Sequence, residues 1–203
     1  MPANNPQLQR RTRFVNAWFT SLDSEQRGLL RSGRFRLLLL SGLLLALLLL
    51  VSSFLKGDEA ARTSIYEIYL NNTGYVNNWD LVDSSAEHIV GAYLMNRSKS
   101  VLYRLAESEN LWERRISIMS TFHFIKRHQF SETLKISKML LSDGQNLIHK
   151  ATGWMLREIG KRHLQTEESF LKVHYQKMPR TMLRYAIEKF PEPKRQRYLK
   201  GRI

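Results

Sequence analysis

The helical spacing of apolar residues from Ala60 onward is the feature that most constrains the fold of this chain. In that stretch apolar residues recur every three or four positions, glycine is sparse, and no alternating β-branched pattern occurs. Short connections predict that neighbouring helices are antiparallel. Asn110 and Ser131 are predicted N-caps, and Pro179 is a predicted first-turn residue. The predicted helices cover residues 61–72, 76–95, 98–108, 111–128, 131–142, 146–162, 167–177 and 180–190.

Shorter and longer helices alternate in this stretch with a period of about forty residues. Arg115 in one long helix, for example, is followed thirty-nine positions later by Trp154 in another. Two-helix units of this period are typical of HEAT-like repeats, which stack side by side to bury a continuous core. We therefore expect an all-α, HEAT-like helical-repeat solenoid of antiparallel helix pairs in a right-handed superhelix. A plain helical bundle is the alternative.

The N-terminal part of the chain differs from this pattern. Residues 1–36 are predicted to be a poorly structured basic segment, and residues 37–203 to form the repeat domain. Within that domain, residues 37–55 are almost entirely apolar, with Ser41 and Gly42 as early interruptions. A run of this length reaches the lower limit for a membrane span, whereas a repeat helix buried on both faces would have the same composition.

Charge and composition restrict the partners and the chemistry. The net charge is +14 and the pI about 10.2, which favours a polyanionic partner, either nucleic acid or an acidic membrane surface. The ends are the most basic parts: residues 1–56 hold eight Lys/Arg against two acids, and residues 177–203 hold nine against two. No cysteine is present, which excludes disulfides and cysteine nucleophiles. The histidines show no ligand spacing, so we expect no metal and no cofactor.

Two charged residues interrupt the apolar faces of their predicted helices. Asp83 lies four residues after Trp79 in the apolar stripe of 76–95, and Arg115 lies near the middle of the stripe of 111–128. A charge on an apolar face is costly, so it is usually paired, linked to solvent or functional. These residues, with Trp79 and Trp154, are therefore candidates for a site. An Asp83–Arg115 ion pair between repeats, with both indoles as core residues, is the structural alternative.

Four stretches carry a resemblance to a known family. They are NNWDLVD (77–83), LWERR (111–115), LIHKATGWMLREIGKR (147–162) and MPRTMLRYAIEKF (178–190). Together they resemble the AlkD-type family of HEAT-repeat DNA glycosylases over about residues 56–200. The stretch LLLALLLLVSSFLKGDEA (43–60) also resembles the family's repeat helix, which favours a buried helix over a membrane span for 37–55.

The resemblance implies an activity and its residues. It implies hydrolysis of the N-glycosidic bond of cationic alkylated purines, such as 3-methyladenine and 7-methylguanine, in duplex DNA, with little base flipping. Asp83, Trp79 and Trp154 would be the catalytic residues, and Arg115 would bind a DNA phosphate. Other basic residues would add affinity for the backbone, among them Arg180, Lys194 and Arg195.

The expected protein is thus a monofunctional, metal-independent enzyme, which we predict to be a cytoplasmic monomer. The alternative is a non-catalytic helical-repeat module that binds nucleic acid or protein, with residues 37–55 as a membrane anchor in one version. Mutation of Asp83 would then alter stability or binding and not catalysis.

Overall fold

The computed structural model describes residues 33–203, with side chains from residue 41 onward. Most of the predicted poorly structured segment, 1–36, lies outside the described residues. The chain divides into two compact units, Met1–Leu45 and Ala46–Ile203, and the helical repeats belong to the second. Every regular element within residues 33–203 is helical, and no strand occurs there. The predicted all-α class is confirmed.

Twelve α-helices follow one another in the described part of the chain. A π-helical turn at Glu87–Gly91 joins the third of them to the fourth, and short 3-10 turns lie at Thr73–Tyr75, Leu140–Ser142 and Ile187–Lys189. The helices are α1 (Gly33–Lys56), α2 (Glu59–Asn71), α3 (Trp79–Ser85), α4 (Ala92–Leu94), α5 (Ser100–Ala106), α6 (Leu111–Ser120), α7 (Phe122–Ile125), α8 (Ser131–Met139), α9 (Asn146–Gly160), α10 (Leu164–His174), α11 (Arg180–Ala186) and α12 (Glu192–Leu199).

The helices of the second unit pack as a series of neighbouring repeats. One helix of each repeat contacts the corresponding helix of the next repeat in chain order, α3 with α6, α6 with α9, and α9 with α11. The other helix of a repeat packs beside its partner, as α5 does on α6 and α10 on α9. Contacts restricted largely to sequence neighbours are the property that defines a helical-repeat solenoid, so the predicted repeat architecture is confirmed.

Helix starts follow the sequence prediction at one cap and depart from it at two. Asn110 caps α6, since its side chain accepts a hydrogen bond from the backbone N–H of Trp112 at 2.9 Å. The predicted N-cap at Ser131 is wrong: Phe130 takes that position, because its carbonyl already accepts from the N–H of Leu134 at 3.0 Å. Pro179 occupies the N-cap of α11, one residue before the predicted first turn.

Helix α1 begins at Gly33, so the last four residues of the predicted poorly structured segment are helical. Within the second unit only one face of α1 is buried, through Leu47, Val51 and Phe54. The opposite face carries exposed leucines at 48, 49 and 55. Burial on both faces therefore does not describe this part of the helix.

Over residues 41–203, no helix is both long enough and apolar enough to cross a membrane. Residues 37–40, the start of the predicted 37–55 helix, lie outside the range with described side chains.

Helices α9 and α11 approach each other closely at Gly153. A Cβ on this residue would lie 2.4 Å from the carbonyl oxygen of Met182 and 2.6 Å from the Cβ of Tyr185. These separations are far below van der Waals contact, so no side chain fits here. The missing side chain lets Tyr185 approach α9 at Gly153, next to Trp154 in sequence, and both aromatic residues line the cavity described next.

Candidate functional site

Asp83 and Arg115 form a two-point ion pair between α3 and α6. The Arg115 Nε donates to Asp83 Oδ1 at 2.9 Å, and Arg115 Nη2 donates to Asp83 Oδ2 at 2.7 Å. The Arg115 side chain is 6% exposed and that of Asp83 is 17% exposed. Paired bonds between a planar guanidinium and a carboxylate fix the orientation of both groups. The ion pair that the sequence left open as an alternative is present.

Arg115 also reaches a third long helix. Its Nη1 donates to the backbone carbonyl of Leu147, in the first turn of α9, at 2.6 Å. One guanidinium thereby connects α3, α6 and α9. An arginine has five N–H donors, and the three bonds to Asp83 and Leu147 leave two N–H groups for another partner.

A cavity of about 330 Å³ opens beside this pair. It runs across α3, α6, α9 and α11, which belong to consecutive repeats. Arg115 is part of its lining, whereas Asp83 is not and meets the cavity through Arg115. The lining residues are Trp79, Arg115, Leu147, Lys150, Ala151, Trp154 and Tyr185.

Both candidate indoles lie in the wall of this cavity. Trp79 is the first residue of α3, a helix whose N-cap Asn78 accepts a hydrogen bond from the N–H of Asp80 at 3.3 Å. Its side chain is 52% exposed. Trp154 lies on α9, where its Nε1–H donates to Glu158 Oε1 at 3.2 Å. The prediction that both are core residues does not describe Trp79, because half of its surface reaches solvent.

The chain changes helical type four residues after Asp83, at Glu87. At the π-helical turn the N–H groups of Val90 and Gly91 both bond to the carbonyl of Ala86, at 3.0 and 2.9 Å. A turn of this kind inserts one extra residue and rotates the helix that follows; such turns are frequent at functional sites. Here it follows the helix that carries Trp79 and Asp83, and its own residues 89 and 90 are fully buried.

The basic residues of the C-terminal region do not line this cavity. Arg180 donates to the carbonyl of Leu199 at 2.6 Å and lines a separate cavity of about 320 Å³. Lys194 forms an ion pair with Glu168, and Arg195 forms one with Glu192 at 2.9 Å. The structure therefore gathers Trp79, Trp154 and Arg115 around one cavity, with Asp83 bonded behind Arg115, and leaves the three tail residues elsewhere.

Two lining residues were missed by sequence reasoning. Lys150 lies four residues before Trp154 on α9, and it makes no hydrogen bond or ion pair with the residues that the structure describes. The i,i+4 spacing to Trp154 was the available signal. Tyr185 comes from α11, and only the close contact at Gly153 explains its presence, so nothing in its local sequence marks it.

The sequence predicted no metal site, on the basis of histidine spacing. Across residues 41–203, no group of three or more His, Asp or Glu side chains is arranged to hold a metal ion.

Comparison with known proteins gives one match. The model of the family described as "DNA alkylation repair enzyme" matches residues 9–190, most of the chain. No curated protein and no solved structure matches. The family description is that of an enzyme acting in DNA alkylation repair, which implies binding to DNA. By this match the chain belongs to the DNA alkylation repair enzyme family.

Proposed function

We propose that the chain is a monofunctional DNA glycosylase that hydrolyses the N-glycosidic bond of cationic alkylated purines in duplex DNA. The expected lesions are 3-methyladenine and 7-methylguanine, removed without a metal and with little base flipping. The observation that carries the proposal is the cavity bounded by Trp79 and Trp154, with the Asp83–Arg115 pair at its edge. Family membership supports it independently.

The proposed chemistry does not require the protein to activate the leaving base. Alkylation already makes the purine a good leaving group, so no acid has to protonate it. Positive charge develops on the deoxyribose, and a fixed carboxylate can stabilise that charge and orient a water. Asp83 suits this role because a carboxylate has about four lone-pair positions, of which Arg115 occupies two. The 17% exposure of its side chain leaves a route for water.

The two indoles suit a cationic substrate. Tryptophan has the strongest cation–π attraction of the aromatic side chains, worth about 0.5–2 kcal/mol depending on desolvation. A cationic purine or sugar between Trp79 and Trp154 would meet this attraction from both sides. A neutral, undamaged base would gain less, so the arrangement favours alkylated over normal purines.

Phosphate contacts would come from the cavity edge and from the basic tail. Arg115 has two N–H groups beyond its internal bonds, and Lys150 has an ammonium group without a partner among the described residues. Either could bind a backbone phosphate next to the lesion. Arg180, Lys194 and Arg195 would add salt-dependent affinity without reading sequence.

A non-catalytic DNA-binding module is the second candidate. It is favoured by the fact that Asp83 does not itself line the cavity and that Arg115 makes all three of its hydrogen bonds within the protein. In that case the ion pair only connects repeats, and the cavity binds DNA without chemistry.

Base release distinguishes the two candidates. Purified protein is incubated with methylated duplex DNA, with and without EDTA, and free 7-methylguanine and 3-methyladenine are quantified by mass spectrometry. The glycosylase proposal predicts release in both conditions and a loss of about a hundredfold or more in Asp83→Asn. DNA binding by a folded wild-type protein that releases no base would establish the non-catalytic alternative.

A further inference from the structure

The indole of Trp154 is held at its edge by a carboxylate on its own helix. Its Nε1–H donates to Glu158 Oε1 at 3.2 Å, one turn further along α9. The χ2 torsion of tryptophan is broad and has two roughly opposite preferences. A partner for the N–H therefore selects which edge of the ring points along the helix, and with it the face that borders the cavity.

Glu158 is itself fixed in place. Its side chain is 7% exposed, and it accepts hydrogen bonds from Lys161 Nζ at 2.6 Å and from Arg162 Nη1 at 2.9 Å. Burial raises the pKa of Glu158, but the hydrogen bonds from Lys161 and Arg162 outweigh burial, so the pKa lies below its usual 4.5. The group that holds the indole is thus a carboxylate at neutral pH, braced by two cations.

A second contact reaches Trp154 from the neighbouring repeat. The ring centroid of Phe122 on α7 lies 6.0 Å from that of the Trp154 indole, and the two ring planes are tilted by 53°. The Lys126 ammonium lies 4.4 Å from the Phe122 ring centre, and Lys126 forms an ion pair with Glu87 at 2.6 Å. Trp154 is therefore supported at its edge by Glu158 and on another side by an anchored phenyl ring.

The other indole of the cavity has no such support. Trp79 is 52% exposed and makes no hydrogen bond or ring contact with the residues that the structure describes. The cavity thus has one fixed aromatic wall and one unsupported wall. A preorganised group contributes most where its geometry must already be right when the substrate arrives.

We infer that Glu158 is a positioning residue that orients Trp154 for a cation in the cavity. This inference rests on the proposed glycosylase function, and it assigns a role to a residue outside the cavity lining. Glu158 does not touch the substrate; it acts by keeping the electron-rich face of Trp154 in a single orientation.

Two substitutions separate the hydrogen bond from the charge. Glu158→Ala removes the acceptor, and we expect kcat for base release to fall by about tenfold or more with little change in KM for DNA. Glu158→Gln keeps an acceptor oxygen, and we expect it to retain kcat within about threefold of wild type.

Glu188→Ala is the matched control. Glu188 pairs with Arg157, the residue next to Glu158 on α9, and makes no hydrogen bond to either indole. The substitution removes a carboxylate that lies in the 3-10 turn Ile187–Lys189 and pairs with the same part of α9, and it leaves the Trp154 contact in place. We expect its kcat to match that of wild type.

The direct readout is the indole N–H resonance of Trp154, assigned with Trp154→Phe in ¹⁵N-labelled protein. We expect this signal to move upfield and exchange faster in Glu158→Ala, and to move less in Glu158→Gln. If Glu158→Ala does not fold, the Glu158→Gln shift provides the test. An unchanged resonance in the folded variants, or equal kcat values for Glu158→Ala and Glu188→Ala, would overturn the inference.

The two readouts also separate this inference from the function on which it rests. If wild-type protein releases no base, the proposed function fails, and the resonance still reports whether Glu158 orients Trp154. If wild type is active and the resonance does not respond, the positioning role alone is wrong.

Discussion

Asp83 and Glu167 are two carboxyl groups in the same set of repeats, one partly exposed and one buried, and their surroundings are opposite. Asp83 accepts two hydrogen bonds from Arg115 at the edge of an aromatic cavity. Glu167, on α10, is 1% exposed, and its Oε1 has no hydrogen-bond partner. Burial, reinforced by the charge of Glu168, raises the pKa of Glu167 to about 8, with Arg157 and Lys194 only partly opposing the shift. Glu167 is therefore mainly a neutral acid at pH 7.

The contrast shows which features of a buried acid point to function. The cations nearest to Glu167 are engaged elsewhere, since Arg157 pairs with Glu188 and Lys194 with Glu168. Its carboxyl instead packs against Gly160, where a Cβ would lie 1.7 Å from Oε2. Burial alone thus does not mark a site. The bidentate arginine, partial exposure and adjacent aromatic cavity set Asp83 apart.

The largest effect on stability is expected from breaking the Asp83–Arg115 pair on one side. Arg115→Met leaves the carboxylate without its cation, and loss of one member of a buried pair costs about 3–5 kcal/mol of unfolding free energy. Urea denaturation measures this loss. The double variant Asp83→Asn/Arg115→Met should recover part of it, because no unpaired charge remains. A single-variant loss below about 1 kcal/mol would mean that solvent already compensates Asp83.

Glu167 should make stability fall as pH rises. Its folded pKa of about 8 lies above the ordinary value of 4.5, so between these values the folded protein holds a proton that the unfolded chain has lost. The free energy of unfolding therefore declines from about pH 4.5 to about pH 8, by an amount on the order of 4 kcal/mol, and then levels off. Glu167→Gln should remove this slope in denaturant titrations across that range.

A control variant sharpens the Glu167 prediction. Glu168→Gln removes the neighbouring charge that helps to raise the pKa of Glu167, so the decline should end at a lower pH than in wild type. A wild-type stability that is constant from pH 5 to pH 8 after subtraction of other titrations would contradict an isolated, buried Glu167.

A smaller loss of unfolding free energy is expected at Gly153, where α9 and α11 touch beside the cavity. Gly153→Ala would place a methyl group 2.4 Å from the backbone carbonyl of Met182, and overpacking of this kind costs about 1–3 kcal/mol. Because α11 must move, base release should also fall through displacement of Tyr185. Gly160→Ala is the comparison: it meets the end of the Glu167 side chain, so it should affect stability without this effect on the cavity.

The sequence predicts the Asp83–Arg115 site far better than it predicts the surroundings of Glu167. Asp83 and Arg115 stand out because each interrupts an apolar helical face, a pattern that is readable within a single helix. The long helices were also predictable, and 131–142 matches α8 with its following 3-10 turn. Local periodicity is sufficient for both.

Features that depend on contacts between helices were not predictable. Glu167 was assigned as the first residue of a helix that in fact begins at Leu164, and its burial depends on the bare backbone of Gly160 in the previous helix. In the sequence Lys150 is indistinguishable from a surface lysine. Its position in the cavity lining depends on the neighbouring repeats. The apolar run of α1 likewise does not indicate by itself which of its leucines stay exposed.

The measurement that tests the central claim most directly is the single-turnover rate of base release from a duplex with one 7-methylguanine. Asp83→Asn and Glu167→Gln are compared with wild type at one pH, after circular dichroism and urea denaturation show that each is folded. We predict a loss of about a hundredfold or more for Asp83→Asn and a rate within about twofold of wild type for Glu167→Gln. Equal rates for wild type and Asp83→Asn, or no release by folded wild type, would contradict the account.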